Sequence, residues 1–256
     1  MQAHERITAA VREAAENGGA LIPFVTAGYP RKESFIETMM AIAPNADVIE
    51  VGVPFSDPMA DGMTIQRSSH TAIANGVTLR WILDSLREHK AALNTPVVLM
   101  SYLNPLLAFG LPALAKAAEA AGVCGFIVPD LPFEESAPIR DALSAQGLGL
   151  IQLVTPATPE ARLTMLCEES RGFVYAVTVN GITGGGQGLP ESASEYLAKV
   201  RKLSALPVCA GFGIRTHDDV AHIHQFADGA IVGSALVEVL EAEGDAGQFV
   251  AELRGA

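Results

Sequence analysis

Two carboxylates, Glu50 and Asp61, stand where acid–base chemistry could be done. Glu50 interrupts the short, apolar, β-branched run Val48–Val51, which reads as a buried strand. A carboxylate inside such a run is costly unless it is paired, hydrated or working. The loop that follows, Gly52 to Gly62, carries Pro54 and Pro58, which stiffen it, and brings Asp57 and Asp61. Asp61 lies eleven positions after Glu50, directly before Gly62. A carboxylate at a strand end and another on a rigid loop can look into one cavity, where unlike surroundings separate their pKa values and give them acid and base roles. Plain structural readings stand beside this one. Glu50 could be held by backbone N–H groups or by an arginine, and Asp57 and Asp61 could be turn formers or helix caps.

The elements that must position these groups follow from the pattern of the chain. Ala3–Glu16 has Ile7, Val11 and Ala14 on one helical face. After it, apolar strands alternate with amphipathic helices. Strands are expected at Ala20–Thr26, Ala46–Val51, Pro96–Ser101, Val123–Val128, Leu148–Val154, Gly172–Thr178, Pro207–Ala210 and Asp228–Val232. Helices are expected at Glu33–Ala43, Thr64–Asn75, Thr78–Lys90, Leu111–Ala121, Glu134–Ala145, Pro159–Glu169, Glu191–Leu203, Asp218–Phe226, Ala235–Leu240 and Ala246–Leu253, with Tyr102–Pro105 as a loop. Eight alternations in 256 residues predict a (β/α)8 TIM barrel with an extra N-terminal helix, residues 1–256 forming a single domain.

In such a barrel the site lies at the C-terminal ends of the strands. There the chain places Glu50, Asp61, Tyr102, Asp130, Thr183, Gly184, Gly213, Gly233 and Ser234. Carboxylates gather after the second strand, and glycines after the sixth, seventh and eighth. Gly211-Phe212-Gly213 and Gly233-Ser234 suit a phosphate, because glycine lets backbone N–H groups approach an anion and a helix N-terminus adds unpaired donors. Ser234 also reads as an N-cap.

Composition excludes several classes. A net charge of −12 argues against nucleic acid. Cys124, Cys167 and Cys209 show no CxxC spacing, so no disulfide framework is expected and a reducing compartment is. The N-terminal stretch lacks the apolar region of a signal peptide, and no apolar run is long enough to span a bilayer. A cytoplasmic protein is expected. His222 and His224 do not share a helix face, the other histidines are expected to be exposed, and no metal site is expected.

The chain resembles the tryptophan synthase α family along nearly its whole length. The resemblance is carried by Pro23 to Pro30, Ile49 to Gly62, Pro129 to Ser136, Gly211 to Ile214 and Gly233 to Ala235. It implies retro-aldol cleavage of indole-3-glycerol phosphate to indole and glyceraldehyde 3-phosphate. In that family's terms Glu50 would shuttle protons and Asp61 would accept the indole N–H. Phe24, Leu99, Tyr102, Tyr175, Thr183 and Ile231 would contact substrate, and Gly184, Gly213, Gly233 and Ser234 would hold its phosphate. Pro54, Asp57 and Asp130 would face a β subunit in an αββα assembly. The pyridoxal phosphate would sit in that partner, with no cofactor in this chain. The sequence departs from the family at Met63, where Pro is usual, and in Gly184–Gly188. Those glycines make a lid that is costly to order and is expected to be loose without ligand. Three alternatives remain open at this stage: a free-standing indole-releasing lyase, a non-catalytic barrel that activates a β subunit, and another phosphate-binding barrel such as a sugar-phosphate isomerase.

Overall fold

Short β-branched segments bounded by Gly, Asn or Pro build the sheet. The computed structural model describes residues 1–177, 191–211 and 213–255. The strands are β1 (Ala20–Thr26), β2 (Ile49–Gly52), β3 (Val97–Met100), β4 (Val123–Ile127), β5 (Gly149–Val154), β6 (Val174–Val177), β7 (Val208–Gly211) and β8 (Gly229–Val232). Each pairs in parallel with the next, and β8 pairs with β1, so the sheet closes on itself and leaves no edge. With helices around it, this is the TIM barrel expected from the alternation count.

Alternation sorts the strand residues into two apolar layers. Val25, Ile49, Val51, Leu99 and Phe126 pack outward beneath the helices. Ile22, Val48, Val98, Ile151, Phe173 and Cys209 fill the barrel. A bulge in β4 modifies the rule: Val97 pairs with Val123 but Val98 pairs with Gly125. Cys124 is the extra residue, and Cys124 and Ile127 both join the inner layer although they are three apart.

The helix Ala3–Glu16 buries Ile7, Val11 and Ala14 against this inner layer, beside Ala20 and Cys124 at the starts of β1 and β4. It closes the N-terminal mouth and leaves the C-terminal mouth for a site. The last helix, Ala246–Arg254, is tied to the same end. Arg254 Nη2 reaches Asp47 Oδ2 at 2.6 Å and Asn45 O at 3.1 Å, while Nη1 donates to Gly19 O at 3.2 Å. Asp47 Oδ2 also accepts the Leu21 N–H at 2.7 Å, a side chain standing in for a ladder carbonyl. The Asp47 N–H in turn donates to Leu21 O at 3.0 Å, and β2 begins at Ile49, three residues after the expected Ala46.

Three expectations need correction. The segment expected as a loop, Tyr102–Pro105, opens a helix, Leu103–Phe109. Pro105 falls in its first turn, where no N–H is needed, and Asp130 Oδ1 accepts the Leu103 N–H at 2.9 Å. The helix expected over Glu134–Ala145 divides into a 3₁₀ turn, Phe133–Glu135, and a helix, Ala137–Ser144, with Pro138 at the new start. His4 is half-buried, with Nδ1 3.1 Å from Gly147 O. Among the described residues, no helix is long and apolar enough to cross a membrane.

Candidate active site

Glu50 lies in register between Phe24 of β1 and Val98 of β3, and its side chain enters the C-terminal mouth of the barrel. It is 1% exposed, and its Oε2 has no hydrogen-bond partner among the described residues. Removal from water penalises the carboxylate, and the Asp61 charge adds repulsion, so the Glu50 carboxyl is pushed up to about 8. At neutral pH it is mainly a neutral acid with a proton to give. A buried carboxyl without a stabilising partner is poor structural material. The reading of Glu50 as a residue held by an arginine or by backbone N–H groups finds no support among the described residues.

Asp61 is half-buried on the loop after β2. Its N–H donates to Pro58 O at 3.2 Å, and Gln66 Nε2 donates to its carbonyl at 2.8 Å, so the loop is pinned on both sides of the side chain. Tyr102 Oη donates to Asp61 Oδ2 at 3.2 Å. Burial raises the Asp61 pKa and this hydrogen bond opposes the rise. The two carboxylates therefore differ: Asp61 has a donor favouring its charge, and Glu50 Oε2 has none among the described residues.

Both line one cavity of about 270 Å³. Phe24, Met100, Leu153, Tyr175 and Ile231 give it an apolar wall. The Phe24 ring lies over Gly52, where a Cβ would fall 2.5 Å from Phe24 Cζ; only glycine leaves room for the ring there. Gly211, Gly213, Gly233 and Ser234 also line the cavity. Gly213 has φ +65°, a conformation most side chains resist. Ser234 opens the helix Ser234–Glu241, and no side chain caps that helix start. Its first-turn N–H groups and positive end are available to an anion. Arg215 pairs with Glu238 of this helix (Nη1–Oε2 2.7 Å), fixing the loop after β7 to the helix after β8. No Lys, Arg or His lines the cavity among the described residues.

The arrangement is thus one cavity that combines an apolar wall, two carboxylates in unlike surroundings and an uncapped helix start. A sequence profile described as tryptophan synthase alpha chain matches residues 11–254. The chain belongs to the tryptophan synthase alpha chain family. The alpha chain of Solidesulfovibrio magneticus is 44% identical over 251 residues, covering 97% of this chain and 98% of that one. The alpha chain of Phenylobacterium zucineum is 46% identical over 93% of this chain and 87% of its own. Among solved structures, tryptophan synthase from M. tuberculosis superposes with a TM-score of 0.89 at 37% identity, covering 98% of this chain and 97% of that one. The alpha subunit from Legionella pneumophila gives 0.89 at 34%, covering 100% and 98%. As a tryptophan synthase alpha chain the protein is a lyase of tryptophan biosynthesis, cleaving indole-3-glycerol phosphate to indole and glyceraldehyde 3-phosphate. An alpha chain implies a β-subunit partner.

Of the residues expected at this alpha-chain site, Glu50, Asp61, Phe24, Tyr175, Ile231, Gly213, Gly233 and Ser234 all line the cavity. Leu99 does not. It is fully buried in the outer layer, and the next residue, Met100, presents to the cavity instead, as strand alternation requires. Tyr102 stands behind Asp61, outside the main cavity. Thr183, Gly184 and the rest of the expected lid lie outside the described residues. Pro54 is buried, while Asp57 and Asp130 are exposed. Met100, Leu153, Ile65 and Ile214 were missed; β3 is apolar at every position, so no local pattern marks Met100.

Proposed function

We propose that Glu50 is the proton shuttle of the cleavage and Asp61 the group that stabilises the charged indole ring. Glu50, protonated, gives its proton to C3 of the indole, and the positive charge appears on the ring nitrogen. Asp61 accepts the N–H hydrogen bond and stabilises that charge. The bond between C3 and the glycerol carbon breaks, and its electron pair restores the ring and neutralises the nitrogen. The adjacent hydroxyl becomes the aldehyde C=O and gives its proton to the Glu50 carboxylate, which returns to its starting state. Proton and electron counts close without a cofactor in this chain.

The ring packs between Phe24, Met100, Leu153, Tyr175 and Ile231. The phosphate is held by backbone N–H groups at Gly213, Gly233 and Ser234, and by Thr183 and Gly184 of the lid. The observation that carries the reading is the buried Glu50 carboxyl, its Oε2 unpartnered among the described residues, in one cavity with Asp61 and an uncapped helix start. The whole chain acts as one barrel domain in the cytoplasm. The β subunit, with its pyridoxal phosphate, docks in an αββα assembly on the C-terminal face. Exposed Met59 and Leu107, together with Asp57 and Asp130, give that face apolar and charged contacts.

Glu50→Gln tests the reading. Indole release from indole-3-glycerol phosphate should fall by about 10²–10⁴ while inorganic phosphate still binds. Release at the wild-type rate would overturn it.

A further inference from the structure

Tyr102 touches the loop after β2 twice with one oxygen. Its hydroxyl donates to Asp61 Oδ2 at 3.2 Å and accepts the Ala60 N–H at 2.8 Å. Its ring stacks on Phe55, from the start of the same loop, with centroids 5.0 Å apart and planes at 25°. Tyr102 itself sits at the end of β3 and is 4% exposed, so it is the fixed body and the loop is the body being located. Tyr102 is absent from the lining of the cavity that would hold the ring and borders only a recess of about 20 Å³ behind Asp61, too small for a ring.

We propose that Tyr102 is a positioning residue for the cleavage and not a substrate contact: its hydroxyl, with the Phe55 stack behind it, sets where Asp61 points. This rests on the reading that Asp61 stabilises the ring. A tyrosine hydroxyl has one proton and two lone pairs. The Ala60 N–H occupies a lone pair, which aims the proton at Asp61. Loss of the hydroxyl removes the donor to Asp61 and the acceptor for Ala60 together, so placement and ionisation change at once. The charged and titratable groups around Asp61 are Glu50 and Tyr175 in the barrel and Tyr102 after β3, with Asp130 acting on Tyr102 from the loop after β4. No cation among the described residues lining the cavity offsets them, and among those residues this donor is what favours the Asp61 charge.

Tyr102→Phe keeps the ring and its stack and removes only the hydroxyl. Carboxyl-carbon NMR titration of the full chain labelled at aspartate reads Asp61 directly, assigned by its loss in Asp61→Asn. The Asp61 pKa should rise by about one unit, and the acid limb of kcat/KM should move up with it. The kcat should fall about tenfold, with KM changed by less than about threefold. Phe55→Leu keeps the hydroxyl and loosens the loop, and should give a smaller shift of the same sign. An unchanged Asp61 titration and acid limb in Tyr102→Phe would overturn the proposal. So would a rise in KM with kcat untouched, which is the signature of a substrate contact. Asp61→Asn separates this from the parent reading: full activity there sinks the role of Asp61, whereas lost activity there with an unaffected Tyr102→Phe sinks only the positioning role.

Discussion

The Asp61 carboxylate lines the same cavity as Glu50 and adds to burial in holding Glu50 protonated to about pH 8. One acid thus primes the other. The free enzyme must hold Glu50 protonated to give a proton to the ring, so kcat/KM should fall as pH rises through about 8. Asp61→Asn removes the neighbouring charge and should bring that basic limb down, even though the variant is slow. A basic limb in the same place with and without the Asp61 charge would mean that the two carboxylates are not coupled.

The same shift carries a stability signature. Glu50 titrates near 4.5 in the unfolded chain and near 8 in the folded one. The folded state therefore holds a proton that the unfolded state gives up. Stability linked to it is fully present below pH 4.5 and is lost as pH rises through 8. Glu50→Gln has no proton to lose. Its stability relative to wild type should grow from pH 5 to pH 8.5, by an amount on the order of 3–5 kcal/mol. Urea unfolding at the two pH values measures it. Equal differences at both would show that Glu50 carries no raised pKa in the folded chain. A site residue that weakens the fold at its working pH is the usual trade between activity and stability.

Leu99 and Met100 test how the barrel divides inside from outside. Leu99→Ala empties space in the outer layer and should cost about 2–5 kcal/mol with KM for the indole substrate unchanged. Met100→Ala opens the wall of the site and should raise KM, with a smaller loss of stability because Met100 is only half-buried. Thermal unfolding and steady-state kinetics on the pair decide it. A raised KM in Leu99→Ala alone would reverse the assignment.

That pair also shows what the sequence could and could not convey. Period and punctuation located all eight strands, because a parallel strand buried on both faces is one apolar run between turn residues. They also marked Glu50, because a carboxylate in such a run stands out, and Asp61, because it closes the stiff loop that follows. The same continuous apolarity hides which residues face in. Val97 to Met100 are all apolar, so nothing in β3 marks Met100 over Leu99. The β4 bulge at Cys124 is hidden for the same reason. The helix Leu103–Phe109 was missed because Pro105 reads as a breaker, and the residue that completes its first turn, Asp130, is 27 positions away. The Tyr102 hydroxyl bonds are likewise long-range, and no local spacing announces them.

Arg254 and Asp47 offer a prediction far from the chemistry. Arg254 donates to Asp47, Asn45 and Gly19 at the closed end of the barrel. Arg254→Leu strands two carbonyls and a carboxylate that still accepts the Leu21 N–H. Unfolding should become easier by about 1–3 kcal/mol, while kcat at 25 °C stays at the wild-type value. A loss of kcat without loss of stability would place Arg254 in some link to the open end that the contacts do not show.

Ser234 is the sharpest test of the anion cradle. It occupies the first position of a helix whose start no side chain caps. Ser234→Asp puts a carboxylate where the phosphate is proposed to bind. A negative charge at a helix N-terminus is favourable, by about 0.3–1 kcal/mol at an exposed end. The variant should therefore be as stable as wild type or slightly more so. Yet it should bind inorganic phosphate and indole-3-glycerol phosphate at least tenfold more weakly, because the carboxylate occupies the donors and repels the incoming anion. Ser234→Ala removes the hydroxyl without adding charge and should weaken binding much less, since the backbone N–H groups remain. If both variants bind phosphate equally well, the cradle is elsewhere and the uncapped helix start is only a helix start. If Ser234→Asp gains stability and loses phosphate while Ser234→Ala keeps most of both, the donors left unpaired by Gly233 and Ser234 are the ones the substrate uses.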